Sequence, residues 1–167
     1  VDPADIPSVI DPDPENNLLV NGSSSVLHYG MKRDFNAWLA TLGESAPVKT
    51  LTELREWNLA HEHAGALKYV QAKLDISDEI DLEQDRARFE ADRERDLRLN
   101  GEHGIDEVLI DLELDALLFP GSGRAGIASK PGYPTVIVPF GLLESEARPP
   151  LPEGFDLKPR PYGVSFT

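Results

Sequence analysis

The chain has 167 residues, no cysteine and a formal net charge of −14 from 30 acidic and 16 basic side chains. Its length fits about one domain, and 40% hydrophobic with 28% charged residues is a soluble globular composition. The acidic excess excludes a general nucleic-acid binder, which needs a basic stripe, and docking on an anionic membrane; the lack of cysteine removes disulfides, thiolate nucleophiles and Cys-based metal sites.

Residues 1–22 read as a Pro-rich arm or loop. Pro3, Pro7, Pro12 and Pro14 lack amide donors and restrict the residues before them, so no helix is expected there. The first predicted helix runs over 31–42, with Met31, Phe35, Trp38, Leu39 and Leu42 at helical spacing and Gly43 as the stop. A second covers 51–63. Thr50 and Glu53 form its capping box, and Leu51, Leu54, Trp57 and His61 line one face. Gly65 interrupts, and a short third helix is expected over 66–74. Residues 75–81 read as an acidic, solvated connector. Asp81, with Gln84, then caps a charge-dense helix over 82–99 whose apolar side is thin: Leu82, Phe89 and Leu97. Asn100-Gly101 is expected to end or kink it, and further helical turns follow over 105–112.

Beyond this point the period changes. The runs 115–120 and 135–139 are continuous and apolar and read as buried strands; 162–167 alternates and reads as a third. A buried strand needs neighbours at both edges and cover on both faces. A loop containing Pro149, Pro150, Pro152, Pro159 and Pro161 separates the last two strands.

Several motifs suggest chemistry and fail on their spacing. Gly121 to Gly126 spells G-x-G-x-x-G after a strand, but the next strand starts at Thr135, and Pro131, Gly132 and Pro134 leave no room for a crossover helix. What survives is a glycine-rich active-site or packing loop whose amides can face an anionic or carbonyl oxygen. Ser122 lacks the first glycine of a nucleophile elbow, because Pro120 occupies it. Ser23-Ser24-Ser25 reads as a turn, since His28 is near only in sequence. His61 and His63, at i and i+2, point apart on a helix and do not form H-E-x-x-H. Asp11, Asp13 and Glu15 imitate the start of a calcium loop, but Asn16 stands where glycine is required and Gly22 where a bidentate Glu is required. No metal and no cofactor is expected. No segment reaches the ~18 apolar residues of a membrane span, and Val1-Asp2-Pro3 does not start a signal peptide. A soluble protein is expected, with the compartment open and the cytoplasm slightly favoured.

Four segments carry a family resemblance. Residues 26–39, VLHYGMKRDFNAWL, resemble the late "E-F-K-x-x-L-N-x-Y-L" segment of amidase signature family enzymes, departing from the "E-F" at 30–31. Residues 114–120, LDALLFP, resemble their "D-A-L-L-x-P" strand. Residues 126–139, GIASKPGYPTVIVP, resemble "A-x-x-A-G-Y-P-x-I-T-V-P", and residues 161–167, PYGVSFT, resemble "P-x-G-I-S-F-T-G". The resemblance implies an α/β fold: the C-terminal part of the amidase signature fold, a mixed β-sheet flanked by helices on both faces. It divides the chain into the arm 1–22 and an amidase portion 23–167, helical over about 31–112 and with core strands over about 115–167.

The resemblance also implies hydrolysis of a carboxamide C–N bond. In the family a lysine activates a bridging cis-serine, which activates a nucleophilic serine, and an acyl-enzyme forms while backbone amides hold the oxyanion. The family's lysine and G-G-S-S-G-G loop lie upstream of everything matched here, and Gly22-Ser23-Ser24-Ser25 is not that loop. The expectation is therefore a C-terminal third of an amidase, cut before the final helix and inactive alone, to which no catalytic residue transfers. Its partners would be a small-molecule amide substrate and the missing N-terminal part, with no nucleic acid and no membrane. The loop after "D-A-L-L-x-P" borders the cleft in relatives, which makes Phe119, Pro120, Gly121 and Ser122 substrate-pocket candidates; the alternative is that they only pack. The alternative for the whole chain is a stand-alone, non-catalytic binding domain derived from an amidase.

Overall fold

The computed structural model describes residues 6–121, 125–145, 154 and 157–167. Ser122, Gly123 and Arg124 of the glycine-rich loop, and Pro149, Pro150 and Pro152 of the Pro-rich loop, lie outside the described residues. In chain order the helices are α1 (Pro7–Ile10), α2 (Leu18–Asn21), α3 (Val26–Thr41), α4 (Leu51–Ala60), α5 (Ala72–Asp78), α6 (Arg86–Asp96), α7 (Glu107–Asp111) and α8 (Ala125–Ser129). A π-helical stretch, Leu97–Asp106, joins α6 to α7. The strands are β1 (Leu118–Pro120), β2 (Val136–Leu143) and β3 (Arg160–Phe166). This mixture of helix and sheet is the α/β class that the sequence leads one to expect. Two compact units divide the chain: Val1–Gly22 with Asp96–Thr167, and Ser23–Arg95.

In the first unit, Ile6, Ile105, Val108, Leu117, Phe119, Ile127 and Ala128 form the buried core. The Pro-rich segment is more ordered than expected, and this corrects the helix-free reading of 1–22. Pro7 sits at the first position of α1, where a missing N–H costs nothing. The Asn17 side chain caps α2 by accepting from the amides of Leu19 (2.8 Å) and Val20 (3.3 Å). Asp11 and Asp13 each accept the amide two residues on, at 2.8 and 2.9 Å, so these acids close turns.

Among the described residues the sheet has the order β1-β3-β2 and is antiparallel throughout. Leu118, Phe119 and Pro120 face Phe166, Ser165 and Val164, and Val136, Ile137 and Val138 face the same three residues from the other side. Gly163 is required by crowding: a Cβ there would lie 2.8 Å from Ile137 Cγ1 and 2.9 Å from the Val138 carbonyl oxygen. β2 runs four residues past Pro139, its expected end, because it is an edge strand and an edge tolerates a missing donor. It is also not buried. Every residue of β2 is exposed, against the expectation drawn from its apolar sequence.

In the second unit, α3 begins at Val26, five residues earlier than predicted, and Gly43 stops it with a φ of +57°. Tyr29 and Leu39 face inward, whereas Trp38 is 53% exposed. On α4 Leu51 is buried and Leu54, Arg55 and Asn58 are half-buried, as is His61 just past its end, so two polar residues join the predicted face and the exposed Trp57 leaves it. The third helix is shifted: 66–69 are turns, Val70 takes a positive φ of 58°, and α5 covers Ala72–Asp78, most of the expected connector. The reason is pairing. Arg55 on α4 reaches Asp75 at 2.7 Å and Asp78 at 2.6 Å, so the acids form an inner face of a helix. Asp81 accepts the amides of Glu83 (2.9 Å) and Gln84 (3.0 Å) as predicted, but the returning carboxylate is that of Asp85, on the Asp81 amide. Asn100-Gly101 does not end the helical path. The backbone widens into π-helical turns there, with Asn100 and Gly101 buried and Pro131 Cβ 3.3 Å from where a Gly101 Cβ would stand.

Candidate functional site

The end of β1 is fixed from both sides. Leu117 and Thr167 exchange backbone hydrogen bonds of 2.8 and 3.0 Å, which sets the register. Phe119 alternates inward and is 1% exposed, packed in the core; Pro120 points out. Gly121 leaves the strand with a φ of +61°, in the left-handed region that glycine adopts without strain. Its amide donates to the Gly163 carbonyl at 2.9 Å, and its carbonyl accepts from the Ser165 hydroxyl at 2.5 Å. Both backbone groups of Gly121 are therefore engaged. Any oxyanion donor from this loop has to come from residues beyond it, and Ser122 lies outside the described residues.

Three serines of the helical unit, Ser24, Ser25 and Ser77, act as ties. Ser25 donates its hydroxyl and its amide to the buried Asp92 carboxylate, both at 2.7 Å. The Ser24 hydroxyl accepts the Val26 amide at 3.2 Å. His28 Nδ1 lies 3.0 Å from the Ser77 hydroxyl, a distance at which a base can meet a nucleophile. Ser77 is 1% exposed, however, and its hydroxyl donates to the Lys73 carbonyl at 2.7 Å. The imidazole thus holds α3 to α5, and no substrate atom can reach the oxygen.

Two charged clusters were not visible in the sequence. His103 lies between carboxylates, with Nδ1 2.6 Å from Glu107 and Nε2 2.7 Å from Asp11. Burial works against the imidazolium, but the hydrogen bonds to Glu107 and Asp11 outweigh it and hold the His103 pKa above its ordinary value. The Asp11 pKa is lowered, first by the Asp13 amide and then by His103. Beside them an open pocket of about 350 Å³ is lined by Asn16, Arg98, Glu102, His103 and Glu107. Arg98 donates to the Asn16 side chain at 2.6 Å. The spacing of His103 and Glu107, at i and i+4, could have suggested one half of this cluster; Asp11 comes from too far away in sequence. Lys130 forms the second cluster, 2.7 Å from the buried Asp96 carboxylate and 2.9 Å from the Gly22 carbonyl. Among the described residues no group of three or more His, Asp or Glu side chains could hold a metal ion, and no helix is long and apolar enough to cross a membrane.

This arrangement of helices followed by a small sheet is similar to part of the fold of solved amidases. The native peptide amidase from Stenotrophomonas maltophilia matches 85% of this chain with a TM-score of 0.65 and 28% identity, over 28% of its own length. The peptide amidase PAM in complex with the competitive inhibitor chymostatin matches with a TM-score of 0.64 and 27% identity, over 29% of its length. An amidase family protein from Bacillus anthracis str. Ames, at 22% identity and a TM-score of 0.62, shares the fold over 83% of this chain and 24% of its own. The chain therefore has an amidase-like fold and spans less than three tenths of the length of these solved amidases. No family model matches the sequence, and no curated protein does.

Proposed function

We propose that this chain serves as the C-terminal portion of an amidase signature enzyme that hydrolyses a carboxamide C–N bond. The observation that supports it is the match to a peptide amidase over 85% of this chain at 28% identity. In this reading the Ser–cis-Ser–Lys triad comes from polypeptide upstream of Val1. The triad's nucleophilic serine adds to the amide carbonyl, ammonia or an amine leaves, and water releases the acid. Ser25, Ser77 and Ser165 favour the reading, because all three are committed to structural hydrogen bonds.

This chain's own part is positional. Phe119 anchors β1 in the core, and the Gly163 and Ser165 bonds hold the backbone of Gly121. The pocket role proposed for Pro120 and Gly121 is then that of a fixed wall and turn beside the substrate rather than of proton transfer, with Phe119 anchoring them from the core. The test compares the 167-residue chain alone with one continuous polypeptide that includes the reading frame upstream of it, on a peptide carboxamide. Turnover by the continuous chain only, inhibited by chymostatin, is the expected result. Turnover by the 167-residue chain alone overturns the reading.

A further inference from the structure

Apart from Arg160 at the start of β3, the sheet of the first unit is apolar where it is exposed. Opposed residues share a face, so Leu118, Phe166 and Val136 form one row and Pro120, Val164 and Val138 the next, all on the face away from Phe119. Val136 is 61% exposed and Leu118 46%. The other face carries the row Phe119, Ser165 and Ile137; the first two are buried, but Ile137 is 56% exposed. The core thus covers β1 and β3 on this side and runs out at β2. The outer edge of β2 pairs with no strand among the described residues. Pro139 and a register shift between Pro139 and Gly141 interrupt this edge, but no charge falls between Thr135 and Leu143 to protect it. Phe140, 75% exposed, meets the Tyr162 ring edge-on, 6.3 Å between centroids.

From this we infer that both faces and the free edge of β2 are the docking surface for the N-terminal portion of the amidase fold, an inference that rests on the function proposed above. Two observations select this occupant over a second copy of the chain. An edge-to-edge pair of copies covers one edge and leaves both faces of β2 open, whereas the pattern demands cover on three sides. In addition, about seven-tenths of the matched peptide amidase's length lies outside the match, which is body enough to enclose a strand.

The experiment co-expresses the 167-residue chain with the polypeptide encoded immediately upstream, as two separate chains. It measures their dissociation constant and the hydrogen exchange of the β2 amides. A stable complex is expected, with β2 exchange slowed at least 10-fold. Phe140→Asp, and separately Val136→Asp with Val138→Asp, should weaken the complex at least 100-fold. Tyr69→Asp, at an exposed site on the other unit, should leave it unchanged. Exchange in each variant alone shows whether its sheet still forms. A complex with unprotected β2 amides and unaffected variants overturns the surface and leaves the amidase reading standing. So does the absence of a complex when the continuous polypeptide is active. Self-association of the 167-residue chain that protects β2 makes a second copy the occupant and overturns the proposal. An upstream frame that supplies no polypeptide overturns both.

Discussion

In the 23–95 unit, Arg55 binds Asp75 and Asp78, Lys32 donates to the Asp78 and Ile80 carbonyls at 2.5 and 2.8 Å, and Ser25 donates twice to Asp92. Its aromatic contacts join the same scheme: Tyr29 stacks on Phe89 at 4.3 Å, Arg33 lies 5.0 Å over the Phe89 ring, and the Tyr29 hydroxyl donates to the Leu82 carbonyl at 2.7 Å. The strands of the other unit are held by apolar packing around Phe119 and by ladder hydrogen bonds, and they leave apolar residues exposed on β2. The contrast teaches that a charge-rich sequence can join helices where acids such as Asp75, Asp78 and Asp92 meet a base or an amide, even with apolar side chains such as Tyr69 left exposed. An apolar strand, by contrast, is finished only when something covers it.

The largest effect should separate two phenylalanines of the same sheet. Phe119→Ala empties a site in the core and is expected to cost about 3–5 kcal/mol in urea unfolding. Phe140→Ala on exposed β2 should stay within about 0.5 kcal/mol. Equal losses would erase the distinction between the covered and uncovered parts of the sheet.

Next, Asp78→Ala should destabilise the helical unit by about 1–3 kcal/mol, because it strips Arg55 and Lys32 of a carboxylate that is only 6% exposed. Burial raises the Asp78 pKa, but the hydrogen bonds from Arg55 and Thr52 prevail and lower it. A lowered native pKa stabilises above the unfolded value of about 3.9 and loses that contribution as pH falls through the native value. Circular dichroism between pH 5 and pH 2 should therefore show acid melting of the helical signal, shallower in Asp78→Asn.

A smaller effect tests the polar scheme at its edge. Thr50 accepts the Glu53 amide at 3.1 Å and caps α4, so Thr50→Ala should cost about 1 kcal/mol. Thr50→Ser should recover most of it. An unchanged urea midpoint in Thr50→Ala would remove the cap from the account of this unit.

The smallest effect appears only as a pH difference. His103 has a raised pKa, so its contribution is complete below the unfolded value of about 6.5 and is lost as pH rises through the native value. His103→Gln should lower the melting temperature by about 2–4 °C at pH 6 and converge on the parent protein at pH 9. A gap that widens toward pH 9 contradicts the proposed clamp between Asp11 and Glu107.

The helical spacing of α3, the stop at Gly43, the Thr50 cap and the three strands were legible in the residues, because periodicity and capping are local. The four family-like segments also pointed to amidases, the proteins whose solved structures share this fold. Of the candidate site, Phe119, Pro120, Gly121 and Ser122 could be named only through the family resemblance of 114–120; the bonds that hold Gly121 could not, since Gly163 and Ser165 lie more than forty residues further on.

The order of helices and strands and their apolar runs were determined by the sequence itself. They depend on neighbours within a few turns of chain. Only the tertiary structure decided that the acids of 75–78 fold inward onto Arg55, that His103 meets Asp11, and that the outer edge of β2 pairs with no strand among the described residues. An apolar run records what a strand can bury. Whether anything lies against it depends on residues distant in the chain or on another body altogether.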